Sequence, residues 1–166
     1  MEIIEAQGNQ FFEIGKIARE SWYNVYANLL SVDQIEYMLE WMYSVDSIKD
    51  QTQNQGHKYL LLKDESLFIG FISYEVNYKN ESKTKIHKIY ILPNMQKKGA
   101  GRILIDRVER IAKDNNNRTL VLNMNKQNNA VHFYRKMGFD IVKEEVNDIG
   151  NGYVMDDYVL EKNLDI

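Results

Sequence analysis

Apolar residues in the first third of the chain recur at spacings of three and four. Between residues 11 and 30 they are Phe11, Ile14, Ile17, Ala18, Trp22, Val25, Tyr26 and Leu29. This period predicts an amphipathic helix over 11–30, after a short strand at 1–6. Ser31 offers N-cap chemistry for a second helix that continues through Met42. A third short helix is predicted over 46–53.

The middle third changes to β-rich runs once Gly56 has ended the helical part. These runs cover residues 59–62, 67–78 and 86–92, with short polar turns between them. In the second run, alternate residues from Phe68 to Tyr78 are expected to share one face. Neighbouring strands joined by short turns predict an antiparallel meander. The last of these strands stops at Pro93.

The helical period returns after Gly99 and marks a helix that ends at the asparagines 115–117. A strand at 119–122 follows, then a short helix at 130–137 that Gly138 ends. Two further strands, 139–146 and 153–160, surround a turn at 148–152. The strand, helix and strand between residues 86 and 122 predict a right-handed crossover with parallel strands. The fold class is therefore α+β with a mixed sheet.

Composition narrows the classes of protein that fit this pattern. The 166 residues fit one domain, 1–166, with no linker or repeat. The chain has no cysteine, which excludes disulfides, thiolate nucleophiles and cysteine-ligated zinc. No apolar run approaches the ~20 residues of a membrane span, and the first residues lack signal-peptide features. A net charge of −3 gives no basic field for nucleic acid. We therefore expect a cytoplasmic protein with neither a nucleic-acid nor a membrane partner.

The segment 96–101 reads Q-x-x-G-x-G and lies between a predicted strand and a predicted helix. The first N–H groups of a helix have no internal partner, and the helix dipole favours an anion there. Glycine lets a diphosphate approach the backbone closely. Lys97, Lys98 and Arg102 add positive charge at the same place. The segment therefore predicts a phosphate cradle. It matches neither the Walker loop, G-x-x-x-x-G-K-[ST], nor the dinucleotide-binding pattern G-x-G-x-x-G. The alternative is an ordinary helix start with solvated lysines.

A second segment, 125–139, combines a polar loop, a short helix and a glycine cap. Tyr134 lies one helical turn after Ala130, on the same face. The alternative interpretation is a core tyrosine whose hydroxyl reaches the surface.

Together these two segments resemble the GNAT superfamily of acyl-CoA-dependent N-acetyltransferases. The family's loop, [Q/R]-x-x-G-x-[G/A] after a proline, is matched at Pro93, Gln96, Gly99 and Gly101. Its second signature, N-x-x-A-x-x-x-Y-x-x-x-G-F, is matched at Ala130, Tyr134, Gly138 and Phe139. Gln127 stands where the family has asparagine. The resemblance covers residues 86–139, and the aromatic N-terminal stretch and the chain end are similar to a bacterial diamine or polyamine acetyltransferase subgroup.

The resemblance implies a fold, a co-substrate and a set of contacts. The fold is a GNAT-like single domain, with a mixed, mostly antiparallel sheet of six to seven strands and helices on both faces. The co-substrate is acetyl-CoA, without a metal. Its pyrophosphate would be held by residues of the loop and helix start, namely Gln96, Lys97, Lys98, Gly99, Ala100, Gly101 and Arg102. The strand residues Ile89, Tyr90 and Ile91 would pair with the pantetheine arm and the thioester oxygen. Asn128, or else Asn125, would contact CoA, and Tyr134 would serve the leaving thiolate.

The expected reaction is direct attack of an amine on the thioester, since a cysteinyl acyl-enzyme is excluded. The general base stays open. His87 shares a strand face with Ile89 and Ile91 and has a suitable pKa, but a packed or exposed histidine is the commoner case, and His57 and His132 are weaker candidates. The remaining acceptor-site candidates are Glu75, Asp156 and Asp157 for binding a cation and Trp22, Tyr23 and Tyr26 for an aromatic wall. The alternative for the carboxylates is a solvated position on a turn or strand, and the alternative for the aromatic residues is a place in the core.

The expected function is acetyl transfer to a primary amine of a small molecule, with a polyamine as one such acceptor. Two alternatives remain at this point. The acceptor is a protein lysine or N-terminus, or the chain is an acyl-CoA-binding regulatory module without turnover. A homodimer is a possible assembly.

Overall fold

The computed structural model describes residues 1–165 as an α+β protein built on a seven-stranded mixed sheet, which confirms the predicted class. The helices are α1 (Phe11–Tyr26), α2 (Val32–Tyr43), α3 (Val45–Asn54), α4 (Ala100–Asp114) and α5 (Val131–Lys136). The strands are β1 (Glu2–Glu5), β2 (Lys58–Asp64), β3 (Leu67–Glu75), β4 (Lys83–Ile91), β5 (Thr119–Asn125), β6 (Asp140–Gly150) and β7 (Tyr153–Asn163). Within residues 1–165, no helix combines the length and apolar composition that crossing a membrane requires.

The chain forms two compact units, and the first consists of Met1–Glu75 with Lys88–Val108. In this unit β1 and β2 are antiparallel, and so are β2 and β3, as the predicted meander requires. Residues 69–74 of β3 are buried without interruption, so both faces of the strand are covered there. Strand β3 also ends at Glu75 and not at Tyr78. The chain turns after it, with a positive φ of 54° at Asn77.

The second unit consists of Val76–His87 and the described chain from Glu109 onward. In this unit the start of β4 runs parallel to β5, from the pair Lys83↔Thr119 to the pair Ile86↔Leu122. This confirms the predicted parallel crossover. Strand β7 lies antiparallel between β5 and β6.

Helix boundaries follow local capping chemistry. The Ser31 hydroxyl accepts a 3.1 Å hydrogen bond from the Gln34 N–H and starts α2, as predicted. Helix α1 ends at Tyr26, four residues earlier than predicted. The N–H groups of Leu29 and Leu30 both donate to the Tyr26 carbonyl, at 2.9 Å each, so the chain tightens into a turn there.

The last hairpin is longer than the sequence predicts. Strand β6 continues to Gly150, and only Asn151 and Gly152 form the turn. Both turn residues have positive φ, 55° and 79°. An Asn-Gly pair adopts this conformation readily, and such two-residue turns match the twist of the flanking strands. The predicted five-residue turn is therefore wrong.

Strands β3 and β4 approach closely at Gly70. A Cβ atom at this position would meet the Ile91 side chain and lie 2.9 Å from the Tyr90 carbonyl oxygen. The Leu92 N–H also donates to the Ile69 carbonyl at 2.8 Å, just beside this point. Gly70 therefore sets the spacing between β3 and the end of β4.

We expect Gly70→Ala to lower the free energy of unfolding by about 1–3 kcal/mol, because the new methyl group displaces backbone that is already packed. Urea denaturation measures the change. Gly8→Ala is the control, since a Cβ at Gly8 meets nothing within 4 Å. Equal stability of the two variants would contradict the close approach.

A buried lysine joins three elements of the first unit. The Lys88 ammonium on β4 donates to Gln51 Oε1 of α3 and to the Tyr59 hydroxyl of β2, at 2.7 Å each. It also lies 5.1 Å from the ring centre of Tyr43 and 5.3 Å from that of Tyr59. Burial lowers the pKa of Lys88 to about 7. Burial also lowers the pKa of His57 to about 4, and the charge of the Lys88 ammonium contributes to this shift.

We expect the stability gained by Lys88→Met to depend on pH. Because the folded-state pKa of Lys88 lies below the ordinary value of 10.5, the unfolded chain binds more protons between about pH 7 and 10.5. The cost of burying the ammonium is therefore complete below about pH 7 and falls as the pH rises, by at most ~1.4 kcal/mol per pH unit. The stability of the variant relative to wild type should be greatest at pH 6 and decrease towards pH 9. Urea denaturation at each pH measures it, and a constant difference would contradict the burial of a charged amine.

Candidate active site

The start of α4 presents unpaired backbone donors. The first helical hydrogen bond runs from the Ile103 N–H to the Gly99 carbonyl, at 3.1 Å. By helix geometry, the N–H groups of residues 99–102 then have no acceptor inside the helix. Gly99 is exposed and a Cβ there would meet nothing within 4 Å. The loop therefore offers an open group of N–H donors at the positive end of a helix dipole.

Two positive φ angles shape the loop before this helix. They are 63° at Lys97 and 83° at Gly99. Backbone in such conformations forms a concavity in which successive N–H groups converge on an anion. The side chains of Lys97, Lys98 and Arg102 are exposed around it. Charge and backbone geometry therefore both favour a phosphate group here.

Gln96 has a structural contact that the motif alone does not reveal. Its side-chain Nε2 donates to the Ile91 carbonyl at 3.1 Å. The side chain thus ties the loop to the last residue of β4. It fixes the direction in which the chain enters α4.

The end of β4 offers backbone more than side chains to a ligand. The Tyr90 ring packs in an aromatic cluster, with ring centres 5.9 Å from Phe71 and 6.2 Å from Tyr43. Ile91 is buried. The parallel register with β5 covers only the start of β4, up to Ile86, although β4 continues to Ile91.

The aromatic residues of α1 divide between core and surface. Trp22 and Tyr26 are 2% and 3% exposed, and both belong to the core. Neither can wall an open acceptor pocket, so the core alternative is the correct one. Tyr23 is half-buried, and its hydroxyl donates to Glu36 at 2.6 Å.

The second motif folds as predicted, into a polar loop and a short helix. Asn125 Oδ1 accepts from the Gln127 N–H, and Asn128 Oδ1 accepts from the Ala130 N–H, each at 2.9 Å. Both asparagines therefore shape the turn that starts α5. Tyr134 on this helix is 8% exposed, and its ring packs 5.8 Å from Phe139. Gly138, with φ of 99°, ends the helix as predicted.

The three histidines differ in surroundings. His87 is half-buried, with its ring 5.8 Å from that of Tyr78. His57 is neutral at neutral pH because its pKa is lowered to about 4 by burial and by Lys88. His132 is exposed on α5.

The three carboxylates proposed for cation binding differ in their partners and in their exposure. Glu75 Oε1 lies 3.9 Å from His57 Nε2, inside the first unit. Asp156 is exposed and pairs with Lys126 at 2.9 Å. Asp157 is 8% exposed, and its Oδ1 has no hydrogen-bond partner among residues 1–165.

Sequence reasoning missed a polar cluster in the second unit. Lys85 donates from Nζ to Asn123 Oδ1 at 2.5 Å, and Asn123 donates from Nδ2 to Glu145 Oε2 at 2.7 Å. Burial lowers the pKa of Lys85 to about 8. These three residues lie on β4, β5 and β6, and β7 lies between the last two. The cluster therefore needs the register of four strands, which the sequence does not reveal. Lys88 was also missed, although its position in phase with Thr84 and Ile86 on β4 was a readable signal.

Comparison with known proteins agrees with this geometry. The model of the acetyltransferase (GNAT) family matches residues 16–139. A spermidine N(1)-acetyltransferase of Thermoplasma acidophilum is 27% identical over 138 residues, which cover 80% of this chain and 84% of the relative.

Solved structures show the same similarity. The PaiA N-acetyltransferase of T. acidophilum in complex with coenzyme A has a TM-score of 0.81 at 26% identity, covering 98% of each chain. A GCN5-related N-acetyltransferase of Rhodopseudomonas palustris shares the fold, with a TM-score of 0.82 at 19% identity over 98% of this chain and 95% of that one. Because the family model spans most of the sequence and both signatures lie in the expected elements, the chain belongs to the GNAT acetyltransferase family and is an acyl-CoA N-acyltransferase.

Proposed function

We propose that this protein transfers the acetyl group of acetyl-CoA to a primary amine of a small aliphatic polyamine. The observation that carries the proposal is the open group of backbone donors at residues 99–102, since it suits the diphosphate of CoA. The polyamine acceptor is supported by the similarity to the spermidine N(1)-acetyltransferase.

In this proposal the loop binds the CoA diphosphate through the N–H groups of Gly99, Ala100, Gly101 and Arg102. Lys97, Lys98 and the Arg102 side chain add charge complementarity, and Gln96 holds the loop against β4. The backbone of Ile89, Tyr90 and Ile91 pairs with the pantetheine arm, because β4 extends beyond its register with β5. An N–H near Ile91 polarises the thioester carbonyl. Asn125 and Asn128 act by holding the turn before α5.

The chemistry is a direct displacement. The neutral amine nitrogen forms a bond to the carbonyl carbon, the carbon–sulfur bond breaks, and CoA leaves as a thiolate. The amine loses one proton, for which His87 is the proposed acceptor. Tyr134 donates a hydrogen bond to the thiolate. This hydrogen bond stabilises the negative charge that develops on sulfur as the carbon–sulfur bond breaks.

We expect Gly99→Val to abolish the thermal stabilisation that acetyl-CoA gives the wild-type protein. A ligand at a hundredfold excess over its Kd stabilises the native state by about 2.7 kcal/mol, and a valine side chain would occupy the diphosphate position. Differential scanning fluorimetry measures the shift. Gly152→Val is the matched control, because Gly152 has a similar φ of 79° and equally open space in the β6–β7 turn. If both variants keep the full shift, the loop does not bind CoA.

We expect Tyr134→Phe to lower kcat by about tenfold or more while acetyl-CoA affinity stays within a factor of about two. A hydrogen bond to sulfur gains strength only as the thioester breaks, so its loss acts on the transition state. The phenylalanine ring preserves the packing against Phe139. Thiol release measures kcat and calorimetry measures affinity. Unchanged kcat would make Tyr134 a core residue only.

A further inference from the structure

A row of polar side chains crosses the sheet of the second unit. Asn125 on β5 is opposite Asp157 on β7, and Asp157 is opposite Glu145 on β6. Directly opposed residues of antiparallel strands project from the same face, with Cβ atoms about 5 Å apart. Asn123, two residues before Asn125, shares this face. The register therefore places two carboxylates and two amides side by side.

Within this row, Glu145 is already well supplied with donors. Its Oε2 accepts from Asn123 at 2.7 Å and from Asn147 at 3.3 Å, and its Oε1 lies 3.6 Å from the Lys143 ammonium. The hydrogen bonds from Asn123 and Asn147 hold the pKa of Glu145 below its ordinary value. Glu145 therefore needs no further cation.

Asp157 is in the opposite situation. Its side chain is more than nine-tenths buried, and Oδ1 has no hydrogen-bond partner in the described part of the chain. Burial raises the pKa of Asp157, and the neighbouring Glu145 adds to this, against a hydrogen bond with Asn123. Leaving a buried charged acceptor unpaired costs more free energy than leaving a neutral one unpaired. Oδ1 therefore calls for a donor from outside the chain.

The nearby Lys85 attracts the Asp157 carboxylate, and this attraction opposes the rise in the pKa of Asp157, but Oδ1 accepts no hydrogen bond from the lysine. Lys85 Nζ is held by Asn123 Oδ1 at 2.5 Å and lies 5.4 Å from the ring centre of Tyr78. Along β7 the neighbours of Asp157 on the same face are Met155 and Val159, and both are buried apolar residues. Asp157 thus lies between the polar row, which includes Asn125 and Glu145, and two apolar neighbours on its own strand. An alkylammonium group has the matching chemistry, since it joins a charged donor to a methylene chain.

We propose that Asp157 binds the non-reacting ammonium of a diamine or polyamine acceptor, an inference that rests on the proposed acetyl transfer. The attacking nitrogen must be neutral, whereas an alkylamine of ordinary pKa, about 10.4, is charged at neutral pH. A carboxylate that pairs with the charged end therefore selects acceptors with a second amine. It leaves the attacking end free to lose its proton to the base. Asp157 is in this sense a specificity-determining residue.

The test compares 1,4-diaminobutane with butylamine, which has the same carbon chain and one amine. We expect wild type to prefer the diamine in kcat/KM, and Asp157→Asn to reduce that preference by about tenfold through KM, because a charged hydrogen bond becomes a neutral one. Glu144→Gln is the control. Glu144 is the exposed carboxylate next to Glu145 that pairs with Lys126, and its loss should leave the preference intact.

Each outcome decides the proposal. Wild type without a diamine preference, or Asp157→Asn with the full preference, overturns the subsite and leaves acetyl transfer standing. If no amine is acetylated, the proposed function fails, and calorimetry of 1,4-diaminobutane with the CoA-loaded protein decides the subsite alone. Binding that Asp157→Asn loses supports it, and absent or unchanged binding overturns it. Melting temperatures check folding, and Asp157→Ser is the substitute if the asparagine variant does not fold.

Discussion

The incomplete backbone pairing of β4 with β5 is the constraint on which the proposed acyl-CoA site depends. On one edge this strand is paired with β5 only from Lys83 to Ile86, although it continues to Ile91, and its other neighbour in the sheet is β3. Buried peptide groups require partners, so the edge of β4 that faces β5 is suited, after Ile86, to a ligand that carries amides of its own. Pantetheine is such a ligand, because it contains two amides on a flexible arm.

The loop that follows β4 applies the same principle to an anion. Helix α4 begins with donors that its own backbone cannot satisfy, and the positive φ of Gly99 exposes them. This local arrangement explains how a chain with a net charge of −3 can bind a polyanion. The favourable field comes from oriented peptide dipoles and three nearby cations, and it does not require a basic protein. The overall acidity in turn suits a cationic acceptor.

Much of the fold and part of the site could be predicted from the sequence because they depend on local signals. Ser31 caps α2, Gly138 ends α5, and the loop after Pro93 leads into α4 as its motif indicates. The misses have non-local causes. Strand β3 is buried continuously over residues 69–74, which the order of residue types within the strand does not reveal, because burial depends on the elements that pack on it.

The polar cluster around Asp157 illustrates the same limit at the site. Its members come from four strands, and only the register brings Glu145 and Asn125 beside Asp157. The sequence could name Asp157 among three acidic candidates, but burial alone distinguished it from Asp156. Lys88 is the exception, since its alternation with Ile86 on β4 marked it as buried.

The close approach of β3 and β4 also limits how this sequence can diverge. Any side chain at Gly70 meets Ile91, so the two positions cannot vary independently. A homologue with alanine at the first position would need a smaller residue at the second, together with a small shift of the Tyr90 carbonyl. Covariation between these two sites in a family alignment would therefore reflect a steric contact at the strand that we assign to the thioester.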